Sequence, residues 1–150
     1  MKRRELMACV GTVAAAVAAS GRARGDDKDK KSGGILTVTD YLARAALLLD
    51  ETKRSQDWIG YHPGDVGLAT LAFELAEIRS GAAAKLAVPL LVKNAHMHLL
   101  LALENTTASF DASSRGDGKK AAQRMAAARA EEATLGLALE QAKLKMPIIK

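Results

Sequence analysis

From Thr37 onward, apolar residues recur every three or four positions, and alanine supplies much of that apolar content. Side chains at this spacing share one face of an α-helix, which constrains the fold more than any other feature of the chain. Alanine is the strongest helix former and makes small cores, which argues against a β-sandwich. At 150 residues the chain is too short for more than one ordinary domain. With 49% hydrophobic residues it is too apolar to be disordered throughout.

The spacing predicts four helices. The first starts near Thr37, an N-cap residue with Asp40 three positions on, and with Leu36 and Tyr41 at the two hydrophobic-staple positions. Tyr41, Leu42, Ala45, Leu48 and Leu49 form its inner stripe, and it fades before Gly60. Residues 58–67 hold three glycines and a proline and read as a loop carrying Trp58, Tyr61 and His62. A second helix runs from about Val66 to Ser80, with Leu68, Leu71, Ala72, Leu75 and Ile78 facing inward and Gly81 closing it. A third runs from about Ala82 to Ala108 and contains Pro89, which either opens its regular part or kinks it. It carries two apolar arcs: a broad one with Val88, Leu91, Val92, Ala95, Leu99, Ala102 and Leu103, and a second with Leu86, Leu90, Met97 and Leu101. A helix apolar nearly all round is buried on more than one side, so this helix is central or meets another subunit. A polar loop at 111–118 leads to a fourth, alanine-rich helix from about Lys119 to Lys145, stopped by Pro147. The fold class is all-α, a small antiparallel four-helix bundle over residues 35–150.

Residues 1–20 have a different character. Lys2, Arg3 and Arg4 precede an apolar run from Leu6 to Ala19 that ends in small residues, the three-part pattern of a signal peptide. Residues 21–34 contain no large apolar side chain and read as a flexible tether. Arg3-Arg4 followed by Leu6-Met7 and a mildly apolar run resembles a twin-arginine export signal. That resemblance implies a bacterial protein exported in folded form, periplasmic or extracellular. The single cysteine, Cys9, would leave with the signal, and the mature chain would then hold no disulfide and no thiolate site. The net charge of +5 would fall to about +3. The remaining charge is mixed in sign and aromatic residues are only 3%, which argues against nucleic-acid binding. The mature chain has no apolar run long enough for a stable membrane span.

Few residues point to chemistry. His96-Met97-His98 suggests a transition metal such as copper, with His62 as the third histidine. Neighbours two apart on a helix point about 200° away from each other, so both imidazoles cannot grip one ion without ligands from another helix or subunit. The commoner arrangement is a buried Met97 flanked by boundary histidines. Trp58 and Tyr61 mark a possible ligand or partner loop, although large aromatics more often plug the end of a bundle. No nucleophile–base spacing, phosphate loop or paired Glu-x-x-His motif is present. The sequence thus predicts a non-enzymatic binding or interaction module without a resident cofactor, acting on a protein partner or on itself. Metal binding by the third helix is the alternative.

Overall fold

Four α-helices and one 3-10 turn make up the computed structural model, which describes residues 37–149. The expected signal, with Arg3 and Arg4, and the expected tether at 21–34 lie outside the described residues. The helices are α1 (Val38–Tyr61), α2 (Val66–Ala84), α3 (Lys93–Ser114) and α4 (Gly118–Gln141), with the 3-10 turn at Leu90–Val92. No strand occurs among the described residues.

Three helix starts follow from local chemistry. The Thr37 hydroxyl accepts the Asp40 N–H at 3.1 Å and donates to the Asp40 carboxylate at 2.7 Å. Asp65 accepts the Leu68 N–H at 2.9 Å, and Asp117 accepts the Lys120 N–H at 3.0 Å. Each satisfies an amide that the first helical turn leaves without a partner. The fourth start is set by Pro89. Its ring clashes with the carbonyl four residues back and it offers no N–H to that carbonyl, which belongs to Lys85. Lys85 is where α2 ends. The expected Ala82–Ala108 helix is therefore divided: Ala82–Ala84 belong to α2, and the regular part begins after Pro89.

Other boundaries differ from expectation for local reasons. Helix α1 runs through Gly60 to Tyr61, and the His62 N–H closes the last turn on Trp58 O and Ile59 O. Trp58 and Tyr61 therefore lie on a helix rather than in a loop. Helix α3 extends into the expected 111–118 loop, where Arg115 pairs with Asp111 at 2.7 Å. It stops at Gly116, whose φ of +75° allows Gly116 N–H to reach Ser113 O and Asp117 N–H to reach Ala112 O. The same pair of bonds ends α4, from Lys143 to Glu140 O and from Leu144 to Leu139 O, four residues earlier than the sequence predicts. There the left-handed position is held by Lys143, at φ +57°.

The core has two apolar clusters with a polar layer between them. The larger joins Tyr41, Leu42, Ala45 and Leu49 of α1 to Leu99 and Leu103 of α3 and to Leu135 and Leu139 of α4. The smaller gathers Ala72, Ala76 and Phe110, with Ile59, Phe73 and Met125 against them. Between them along the helices lie the buried hydroxyls of Thr52, Ser55, Thr106 and Ser109. Each donates to a backbone carbonyl at 2.7–3.1 Å, which meets the cost of burying it.

Helix α3 is central and packs against each of the other three, through its broad arc of Val92, Ala95, Leu99, Ala102 and Leu103. Leu91, assigned to that arc, is exposed, as is most of the second arc, with Leu90 89% and Met97 57% accessible. Helix α2 meets the expectation in part: Ala72 is buried and Leu68 and Leu75 are half-buried. It buries Ala69, Ala72, Ala76 and Ala83 and leaves Leu71 and Ile78 outside. No helix among the described residues is long and apolar enough to cross a membrane.

The two matching helix ends give a test. Lys143→Gly should stabilise the fold by about 0.5–1 kcal/mol, since relief of the left-handed penalty exceeds glycine's added unfolded-state entropy. Gly116→Lys should lower stability by a similar amount, read from urea midpoints.

Candidate functional site

The His96-Met97-His98 triplet is split by its helix. His96 is buried, and its Nδ1 lies 3.1 Å from the Tyr41 hydroxyl with the two rings edge to face at 5.8 Å. Burial pushes the Tyr41 phenol up to about 12 and lowers the His96 pKa, so both groups are neutral near pH 7. One hydrogen bond joins the two neutral groups, and the imidazole tautomer sets which of them donates. Nδ1 of His96 is thus committed to Tyr41.

His98 faces the other way. Its Nδ1 lies 2.7 Å from Glu131 Oε2 on α4, and both side chains are about one-third accessible. That contact leaves Nε2 of His98 free beside an open hollow lined by Asn94, Met97, Thr134 and Leu137. Met97 is exposed rather than buried: its direction on the helix falls outside the arc that meets α1, α2 and α4. His62 caps the far end of α1, 21 residues from the Tyr41 contact, or about 30 Å along the axis. The four residues expected to share a metal are therefore not brought together. Among the described residues, no three His, Cys, Asp or Glu side chains are grouped to hold an ion.

The aromatic pair at the end of α1 is open to solvent. Trp58 is 53% and Tyr61 79% accessible, so neither plugs the bundle end. The reason lies in their direction. Ser55 accepts a hydrogen bond from Arg79 Nη1 at 2.9 Å, which marks the line where α1 meets α2. At about 100° per residue, Trp58 lies about 60° outward of that line on α1. On α2, Leu75, Leu71 and Ile78 fall outward of Arg79 on the same side, opposite the buried alanines. Trp58 is three residues from Ser55 toward the 62–65 turn, and Leu75 is four residues from Arg79 toward the same turn. The two are level.

The result is an apolar face formed by α1 and α2, with Leu71 48% and Ile78 69% accessible. Arg79 sits at its edge, half-buried, its pKa lowered by burial and opposed by the charge of Glu51. The sequence reading assigned Leu71 and Ile78 to the core and did not single out Arg79. The available signal was the alternative stripe Ala69, Ala72, Ala76 and Ala83, which has helical spacing of its own. A second groove, about 300 Å³, runs between α1 and α4 beside Leu49, Gly136 and Met146, and carries Lys53 and Glu132 at 3.9 Å on its rim.

Nothing matched the chain in comparisons with protein-family models, curated proteins and solved structures.

The buried pair makes stability depend on pH. His96 has a folded pKa below its ordinary 6.5, so above that pH it is neutral in both states. As pH falls below 6.5 the unfolded chain takes up the proton first, and stability declines until the folded value is passed. Urea midpoints should therefore fall between pH 7.5 and pH 5, and His96→Gln should reduce that slope. Tyr41→Phe should cost about 1–3 kcal/mol at pH 7.5, because it leaves a buried ring nitrogen without its hydrogen-bond partner.

Proposed function

We propose that this protein is exported to the bacterial envelope and works there as a non-enzymatic interaction module, docking a partner on its α1–α2 face. The observation that carries this reading is the orientation of α2. It turns Ala69, Ala72, Ala76 and Ala83 inward and holds Leu71 and Ile78 outside, on the side where Trp58 of α1 is also exposed. Contiguous apolar surface of this kind is a common mark of an interaction site.

We assign the four helices to an antiparallel bundle. Contacts between α3 and α4 support this. Asn105 meets Arg124, Ser109 meets Ala121, and His98 meets Glu131, so one number rises as the other falls. Ser80–Thr107 and Ser55–Arg79 relate α2 to α3 and α1 to α2 within the same scheme. The connections at 62–65, 85–89 and 115–117 have the short lengths such a bundle needs.

Export rests on residues 1–20 and on Arg3 and Arg4. A reporter protein fused behind residues 1–36 should reach the periplasm, and Arg3→Lys with Arg4→Lys should abolish that transfer. Transfer undiminished in the double variant would remove the twin-arginine route and leave general secretion.

The docking face has its own test. Ile78→Asp and Leu71→Asp should shift stability by no more than about 0.5 kcal/mol, as surface changes do. Failure of both variants to fold would make the face part of the core and end this reading.

A second reading, binding of copper or a similar transition metal by α3, rests on the His98–Glu131 pair. A carboxylate on one ring nitrogen is how many metal-binding histidines are oriented. Copper titration decides it: His98→Ala should lose the tightest binding, and equal affinity in wild type and variant would dismiss the idea.

A further inference from the structure

We propose that the groove between α1 and α4 takes an extended apolar peptide, and that residues 144–149 of this chain hold it in cis as a removable strap. The groove is separate from the apolar seat on α1 and α2, and the proposal does not rest on the docking reading above.

The groove exists because α1 stands back from α4, while α3 packs closely on α4. Leu49 lines it from α1, and Leu135 and Leu139 line it from α4. Among the described residues, only Lys53 and Glu132 join α1 to α4 through polar atoms, at 3.9 Å. The chain itself shows what the groove accepts. The left-handed turn at Lys143 ends α4, and residues 144–149 cross to α1, where Met146 and Ile149 line one hollow with Ala46 and Leu49. Leu144 and Met146 are half-buried against the larger apolar cluster, and Lys145 and Pro147 are exposed. That alternation belongs to an extended segment, whose side chains point to opposite sides in turn.

The strap is lightly held. Residues 145–149 make no backbone hydrogen bond among the described residues, and Ile148 is 88% exposed. Segments with few buried apolar contacts and few hydrogen bonds open at the least cost. The strap also fills the groove incompletely, leaving about 300 Å³ open beside Gly136. Glycine weakens a helix interior, and α4 is otherwise rich in alanine. No atom beyond its own stretch of helix lies within 4 Å of where a Cβ on Gly136 would stand, so the packing of the folded chain does not require glycine there. A peptide backbone lying close along α4 would. The rim carries charges of both signs, Lys53 and Lys145 with Asp50, Glu132 and Glu140, so apolar side chains rather than net charge select the occupant.

The probe is a fluorescein-labelled synthetic peptide with the sequence of residues 142–150, titrated with the full chain and read by anisotropy. In the wild type the tethered strap competes for the groove at high effective concentration. Leu144→Asp with Met146→Asp should free the groove and bind the peptide at least tenfold more tightly than wild type. Adding Gly136→Leu, which places a side chain in open space, should weaken that binding tenfold or more. A peptide with aspartate at both positions should bind neither protein. Equal affinity in wild type and double variant overturns the strap, and an affinity that Gly136→Leu leaves unchanged overturns the groove as the site. No binding by the double variant at millimolar concentration overturns both. Leu144→Ala with Met146→Ala adds no charge and should act in the same direction. Unfolding of both double variants, read by circular dichroism, makes the segment part of the core and overturns the strap. Sedimentation should show a wild-type monomer. A dimer that Met146→Asp abolishes would put the strap in the groove of a second copy and overturn its place in cis.

Discussion

Alanine sets the spacing of this molecule. Ala72 and Ala76 on α2, Ala95 and Ala102 on α3, and Ala128 on α4 are all buried at helix contacts. Side chains at a contact determine how close two helix axes can come, and a methyl group permits a close approach. Once α2 and α3 are drawn together in this way, Leu71 and Ile78 cannot fit between them. The larger side chains are turned to the opposite side of α2. The apolar α1–α2 face is thus the consequence of a tightly packed small-residue contact on the reverse of the same helix.

Helix α1 is held differently. It contributes Tyr41, Leu42, Ala45 and Leu49 to the larger cluster, but beyond that point its inward residues are Thr52 and Ser55, and only Ile59 joins the smaller cluster. The hydroxyls donate to carbonyls of their own helix, and of the two only Ser55 also meets a side chain of another helix, Arg79. Directional links from α1 to the other helices are few: Tyr41 to His96 at one end, and Ser55 to Arg79 and Lys53 to Glu132 in the middle. Gln56 Nε2 is buried near this layer without a hydrogen-bond partner, a further cost at the same place. The face that carries Trp58 is therefore borne by the helix with the weakest apolar anchoring in its second half.

Helix number and several boundaries were legible in the sequence because they depend on neighbours in the chain. Asp40 answers Thr37 three residues away, and Pro89 marks where the regular part of the third helix can begin; the end of α2, expected at Ser80 with Gly81 closing it, lies at Ala84 instead. The orientation of α2 was not legible. It has one apolar stripe of leucine and isoleucine and another of alanine, both at helical spacing, and periodicity alone does not rank them. Hydrophobicity favours burying the larger side chains, but packing against α3 favours the smaller. The same difficulty hid the histidines. A spacing of two separates their directions, yet only the position of Tyr41, 55 residues away, makes His96 the buried one.

That separation also keeps the two functional readings apart. His96 is committed to the core through Tyr41, so a single chain offers His98 as its one oriented imidazole on α3. A metal site there would need further ligands from Met97 or from a second copy, on the surface between α3 and α4. The apolar seat lies between α1 and α2 and shares no residue with that surface. His98 depends on Glu131 for its orientation, while Trp58 and Ile78 depend on how α2 packs against α3. The two surfaces have separate physical causes, so a partner on one leaves the geometry of the other in place.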